Sequence, residues 1–264
     1  MSLAKYFTVS KNIIQVSIFY RARLIANFLI SFISMAVVLY LWNDIYSGNA
    51  SMMGYSKESI VTYYLISIFF MASIHPDLSV NDEIREGKIS IYLTKPISYI
   101  WHTYFESMGV RIFRVFLGLP ILVLMFVFLH DKLVIITDFK AYLFLGVSVF
   151  LAMNILFLIE LIIGFLEFWI FYSDSLYFVF DVTMSFFSGA VLPLFLFPSY
   201  LQFIADILPF KYTGYFIVNT FLGRLNSYDI FFGLGIQLIW IFVLAIVAFL
   251  IWKAGLKKYE AVGG

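Results

Sequence analysis

Ile230–Trp252 reads IFFGLGIQLIWIFVLAIVAFLIW, 23 residues without one charged side chain. A helix of that length rises about 35 Å at 1.5 Å per residue, enough to cross the ~30 Å hydrocarbon core of a bilayer. Apolar character on every side leaves no polar face for water, so the surroundings of this helix are lipid or protein. Five further windows of similar length lie upstream: Leu24–Ile45, Ile60–Ser79, Arg111–Leu129, Ala141–Leu161 and Leu176–Phe197. The expected fold is therefore all-α and integral to the membrane, with six transmembrane helices in one domain over residues 1–264.

Composition excludes the soluble alternatives. The chain is 63% hydrophobic and 12% charged, against roughly 45–50% and about 25% in soluble domains. A soluble fold of this size has no way to hide so much apolar surface. A net charge of +1 supplies no field for nucleic acid. Cysteine is absent, which excludes disulfides, thiolate metal sites and cysteine nucleophiles. Lys5, Lys11, Arg21 and Arg23 precede the first apolar stretch as in a signal peptide, but Leu24–Trp42 exceeds the about 7–15 residues of a signal-peptide core.

Lys and Arg placement sets the orientation. With the N-terminus inside, 12 of the 17 basic residues fall in inside segments and five outside (Lys57, Lys132, Lys140, Lys211 and Arg224). By the positive-inside rule both termini face the cytoplasm, as an even number of spans requires. Before the first span, Lys5, Thr8, Asn12 and Gln15 recur at spacings of three and four, with Leu3, Phe7, Ile14 and Ile18 on another face. Residues 3–20 read as an amphipathic helix on the inner membrane surface.

Three segments interrupt the apolar pattern. The longest cytoplasmic connection, Ser79–Val110, opens on Asn81-Asp82-Glu83, a helix start with acids at the positive end of the dipole. Ile84, the lone apolar residue of its first turns, is the expected anchor of a small contact, and Gly87 is the expected left-handed cap. Further on, Pro193, Pro198 and Pro209 break the apolar stretch Val191–Phe210. Irregular backbone at membrane depth survives only when shielded, so residues 189–210 read as re-entrant half-helices. Finally, Glu160, Glu167, Asp174 and Asp181 lie seven apart. Glu160 and Glu167 are candidate intramembrane carboxylates, a costly placement that by default marks function. The competing reading puts all four acids at the inner interface, beside the aromatic run Phe165–Tyr172.

Glu83-Ile84-Arg85-Glu86-Gly87-Lys88-Ile89 followed by Tyr92-Leu93-Thr94-Lys95-Pro96-Ile97-Ser98 resembles the cytoplasmic loop of ABC-2 type transporter permeases. Ser188-Gly189-Ala190 with Pro193, Phe197-Pro198 and Leu208-Pro209-Phe210 is similar to that family's re-entrant segment between spans five and six. The tail Trp252–Tyr259, with Gly255, Lys257 and Lys258, resembles its basic ending. Thr94 and Ile217 depart from the commoner residues.

The resemblance implies a permease that dimerises with a second protomer, identical or homologous, in the plasma (inner) membrane. It also implies a separate ABC ATP-binding subunit dimer holding ATP and Mg. Glu83, Ile84, Arg85, Glu86, Gly87 and Lys88 would form the ATPase-coupling helix, and Gly189, Pro193, Pro198 and Pro209 the outer gate. Spans one, two and five would line a cavity for a drug, lipid or peptide, and export would be the direction. The chain has no G-x-x-x-x-G-K-[ST] run to cradle nucleotide phosphates. We expect no catalytic, cofactor or metal residues on it. The alternatives are an intramembrane enzyme or a proton-coupled carrier using Glu160 and Glu167. Seven helical residues separate those two by about 10 Å, too far for one dyad.

Overall fold

The computed structural model describes residues 4–46, 51–52, 54–76, 78–134, 139–170 and 173–259. Leu3, Asp77, Phe171 and Tyr172, which entered the reading above, lie outside them. Helix α1 (Ala4–Phe19) meets α2 (Arg21–Ile45) at Tyr20 with a bend of 72° between α1 and the first turns of α2. A two-stranded hairpin, β1 (Ser51–Met52) and β2 (Tyr55–Ser56), leads into α3 (Lys57–Ile74), whose N-cap Ser56 accepts from Ser59 N at 3.2 Å. Helix α3 ends where His75 turns extended ahead of Pro76, the conformation a following proline imposes.

Two short helices, α4 (Val80–Arg85) and α5 (Ile89–Leu93), occupy the next connection. Three long helices follow in the remainder of the chain: α6 (Tyr99–Phe128), α7 (Phe139–Phe165) and, at the end, α11 (Ser227–Gly255). Between α7 and α11 stand α8 (Asp174–Phe187), α9 (Ser199–Ile207) and α10 (Tyr215–Phe221), with 3-10 turns at Leu194–Leu196 and Pro209–Thr213.

Among the described residues, four helices are long and apolar enough to cross a membrane, or five if the bent α1–α2 pair counts as one span. The expected fifth window, Leu176–Phe197, divides. Helix α8 has 14 residues, about 21 Å against the ~30 Å of a hydrocarbon core. It stops because Gly189 takes φ +80, and Val191 onward turns rather than continuing the helix. Apolar content is the same in a helix and in a shielded turn, so hydropathy alone misses this end. The third window moves the other way. Helix α6 starts at Tyr99 rather than Arg111, so the connection from the end of α3 closes at Ser98 and not at Val110.

Helix α11 packs along α7, α1 lies on α6, and α2 runs beside α3. Gly233 faces Phe216 and Gly255 faces Phe168, so that a methyl group at either would overlap a ring. Small residues at such crossings let helices approach where lipid gives no hydrophobic drive. Buried Gln237 donates to Ser148 O (3.0 Å) and Tyr212 O (2.8 Å), tying α11 to α7 and to the 209–213 turn. The opposite side of α11 leaves Phe231, Phe242, Phe249 and Leu250 exposed, the surface that hydrocarbon covers.

Candidate functional site

The α4–α5 connection divides into an inward and an outward half. Val80, Ile84 and Ile89 are buried against Leu161 and Phe165 of α7 and Tyr99 of α6. The expected anchor Ile84 therefore holds the connection to its own spans and is not available to a partner. A six-residue helix is too short for its sequence to show which way one isoleucine faces. The exposed apolar residues are instead Ile91 and Leu93 on α5, about half exposed, beside exposed Lys88, Thr94 and Lys95.

Gly87 takes φ +74. Its N–H reaches Ile84 O (3.1 Å) and the Lys88 N–H reaches Glu83 O (2.9 Å), the paired bonds of a Schellman cap. Glu83 accepts from the Tyr99 hydroxyl at 2.6 Å. Glu86 and Lys88 pair at the surface. The Lys88 hydrogen bond and charge hold the Glu86 carboxyl below its ordinary range, and Glu86 raises the Lys88 ammonium in return. Arg85 pairs with Asp82 and lies 3.5 Å from both Glu167 and Asp174.

Glu160 and Glu167 belong to different networks. The Glu160 side chain is 3% exposed and 3.4 Å from His75 Nδ1, while His75 Nε2 lies 3.0 Å from Asp181 of α8. Glu167 sits on the 3-10 turn after α7, accepts from Ser173 N at 2.8 Å and faces Arg85. Local spacing gives His75 no carboxylate partner, because its partners come from α7 and α8, far along the chain.

Two charges read as cytoplasmic are also buried. Arg111 bonds to Ser107, Ile74 O and Met153 O, and Arg114 donates to His75 O at 2.8 Å. Both guanidiniums satisfy carbonyls at the end of α3, where a helix favours cations. A charge count along the chain cannot distinguish such a residue from a loop lysine.

Three adjoining cavities of about 410, 340 and 190 Å³ share Met71 and His75. They form one groove between α2 (Leu24, Phe28, Val38), α3 (Tyr64, Ile68, Ala72) and α8 (Asp181, Met184, Ser185). Ala190 and Val191 close one side, and Arg114 lines the narrow end.

Above the groove, the proline-marked stretch is held by neutral groups. Gly189 O accepts from Tyr63 OH (2.7 Å), Val191 O from Tyr64 OH (3.1 Å) and Ser188 O from Tyr215 N (2.6 Å). Pro193 and Pro198 stand immediately before the 194–196 turn and α9, and Pro209 opens the 209–213 turn. The hairpin residue Tyr55 stacks on Phe195 at 4.1 Å, donates to Asn219 at 2.6 Å and lies under the Arg224 guanidinium at 3.6 Å. Gly54 at φ +80 forms the hairpin turn and accepts from Arg224 at 2.9 Å. Gly54 was the only sequence signal for this cluster, and a lone glycine names no partner.

Among known proteins, the family model described as ABC-2 family transporter protein matches residues 32–263. No curated protein matches the chain. The match takes in the α4–α5 connection, the proline-marked stretch and the groove apart from its Leu24–Phe28 edge, and the chain belongs to the ABC-2 family of transporter proteins.

Proposed function

We propose that this transmembrane permease is one protomer of an ATP-driven exporter. Two permease protomers face each other across their α2–α3–α8 grooves, and a separate ABC ATPase dimer carries ATP and Mg. The observation that carries the reading is the groove itself, an apolar wall along three elements with His75 where its cavities meet and Asp181 beside it. An apolar or amphipathic molecule such as a drug, lipid or peptide suits that lining. Alternating access moves it across the plasma membrane.

In this reading α2, α3, α6, α7, the short α8 and α11 make six crossings with both termini cytoplasmic. Helix α1 lies on the inner surface: one face packs on α6 through Tyr6, Ser10 and Ile13, while Phe19 remains exposed for lipid. Residues 189–210 are re-entrant and, through Gly189, Pro193, Pro198 and Pro209, close the outer face. Residues 83–88 fix the connection to the spans, and Ile91 and Leu93 of α5 meet the ATPase.

Purification of the tagged chain from its native membranes tests the proposal. The expected result is a permease dimer with a bound ATPase whose hydrolysis stops when Ile91 and Leu93 are both changed to Asp. Hydrolysis of ATP by the isolated chain would sink the subunit reading.

A further inference from the structure

We propose that Arg85 is a positioning residue that locks α4 to the α7–α8 junction, so that a push on the α4–α5 connection moves the α8 wall of the groove. The inference rests on the permease reading. By chain continuity the connection pulls only on α3 and α6. Reaching α8 requires a noncovalent link, and the structure holds one with an apolar and a polar part.

The apolar part is close packing. Val80 sits on Gly164 of α7 so tightly that a methyl group there would come 2.6 Å from its Cβ. Ile84 is buried beside Leu161 and Phe165. The polar part crosses to α8. Asn81 donates to Asp174 at 2.7 Å, and Arg85 Nη1 lies 3.5 Å from Glu167 Oε1 and 3.5 Å from Asp174 Oδ2. Asp174 is the first residue of α8, where a carboxylate is favoured by the helix dipole. The Glu167 side chain is 1% exposed, and its second oxygen accepts from Ser173 N.

A buried carboxylate separated from its countercharge is strongly unfavourable. Moving α4 alone would pull Arg85 from both Glu167 and Asp174, whereas moving the 167–174 junction with it, and α8 from Asp174 onward, keeps both contacts. Two turns along α8, Asp181, Met184 and Ser185 line the groove.

Hydrogen exchange on the full chain in lipid nanodiscs tests the link without any ATPase. Arg85→Ala should speed exchange about tenfold or more in both 80–85 and 174–181, leaving α10 and α11 unchanged. Arg85→Lys should restore most of the protection. Asp174→Asn should loosen α4 from the other side, since coupling is reciprocal, and it serves where Arg85→Ala fails to accumulate. Faster exchange confined to α4 in Arg85→Ala, or α4 unaffected by Asp174→Asn, overturns the proposal. In the ATPase complex, thiol labelling of Ser185→Cys should respond to ATP in the parent and lose that response with Arg85→Ala, while Ile68→Cys responds in both. A complex with no ATP response at either site counts against the permease reading, and the exchange result still decides the Arg85 link.

Discussion

The two ends of α3 solve the same problem with opposite chemistry. At its start, carbonyls of the broken backbone are met by the hydroxyls of Tyr46, Tyr63 and Tyr64, with Tyr55 stacked on Phe195 and the Arg224 guanidinium outside them on Gly54 O and the Tyr55 ring. At its end, the carbonyls of Ile74 and His75 are met by Arg111 and Arg114, with Glu160, Asp181 and the Arg85 network near by. Neutral bonds need no counterion and change little with their surroundings. Charge pairs at membrane depth persist only while paired, so they can be rearranged by a partner or a proton. On the function proposed above, the hairpin end would seal and the charged end would respond.

One substitution type made at both ends gives the largest expected contrast. Gly189 and Gly87 both have positive φ, which costs a branched residue about 1–2 kcal/mol. At Gly189 a Cβ would also lie 2.6 Å from Tyr63 Oη. Gly189→Val should abolish accumulation in the membrane, whereas Gly87→Val should accumulate near the parent level and lose the ATPase in pull-downs. Equal loss of accumulation would erase the distinction. Next in size is the contrast within the connection. Ile84→Asp buries a carboxylate among Leu161, Phe165 and Ile89 and should destabilise the chain by about 3 kcal/mol or more. Ile91→Asp should leave folding intact and weaken ATPase association about tenfold, as loss of a contact residue does. Membrane abundance and pull-down, measured side by side, separate the two.

How much of this was legible follows from what each signal encodes. Helices α6, α7 and α11 were plain because uninterrupted apolar length has one common explanation in a membrane. Pro193, Pro198 and Pro209 marked breaks because the missing donor acts locally, and elements do begin at or beside each of them. The end of α8 was legible only in part, since the apolar window ran on to Phe197 while the reading of 189–210 already began at Gly189, whose φ of +80 follows the last turn at Phe187. The burial of Arg111 was not legible, since it requires knowing that α3 ends beside α6. His75 meets Glu160 and Asp181 only through the packing of three helices. Local spacing reveals a site whose residues share one helix and is silent on one assembled from several.

The hairpin end offers a smaller test. Tyr55→Phe keeps the stacking on Phe195 and removes the bond to Asn219 together with the longer 3.3 Å contact to the Tyr215 hydroxyl. Loss of one such bond costs about 1 kcal/mol, so the denaturation midpoint followed by Trp fluorescence should fall modestly, with no change in ATPase pull-down. A loss of pull-down would show that the two ends are not separate devices.

The smallest effect belongs to the Glu86–Lys88 pair, and its sign follows from the shifts. Glu86 titrates below its ordinary value of 4.5 because of Lys88. A carboxyl depressed in the folded state stabilises above the unfolded value, and that contribution disappears as pH falls through the folded one. Between pH 6 and about 8 the pair should therefore make folding no more pH-sensitive, and only acidification beneath the ordinary carboxylate range should remove it. Both side chains are exposed, so water and salt screen the attraction. Glu86→Gln should leave the denaturation midpoint at pH 7 unchanged. If Glu86 instead contacts the ATPase, the same variant should weaken pull-down at low salt and match the parent at high salt. A clear stability loss at pH 7 would mean the charged end relies on surface pairs for its fold, and would contradict its assignment as the responsive half.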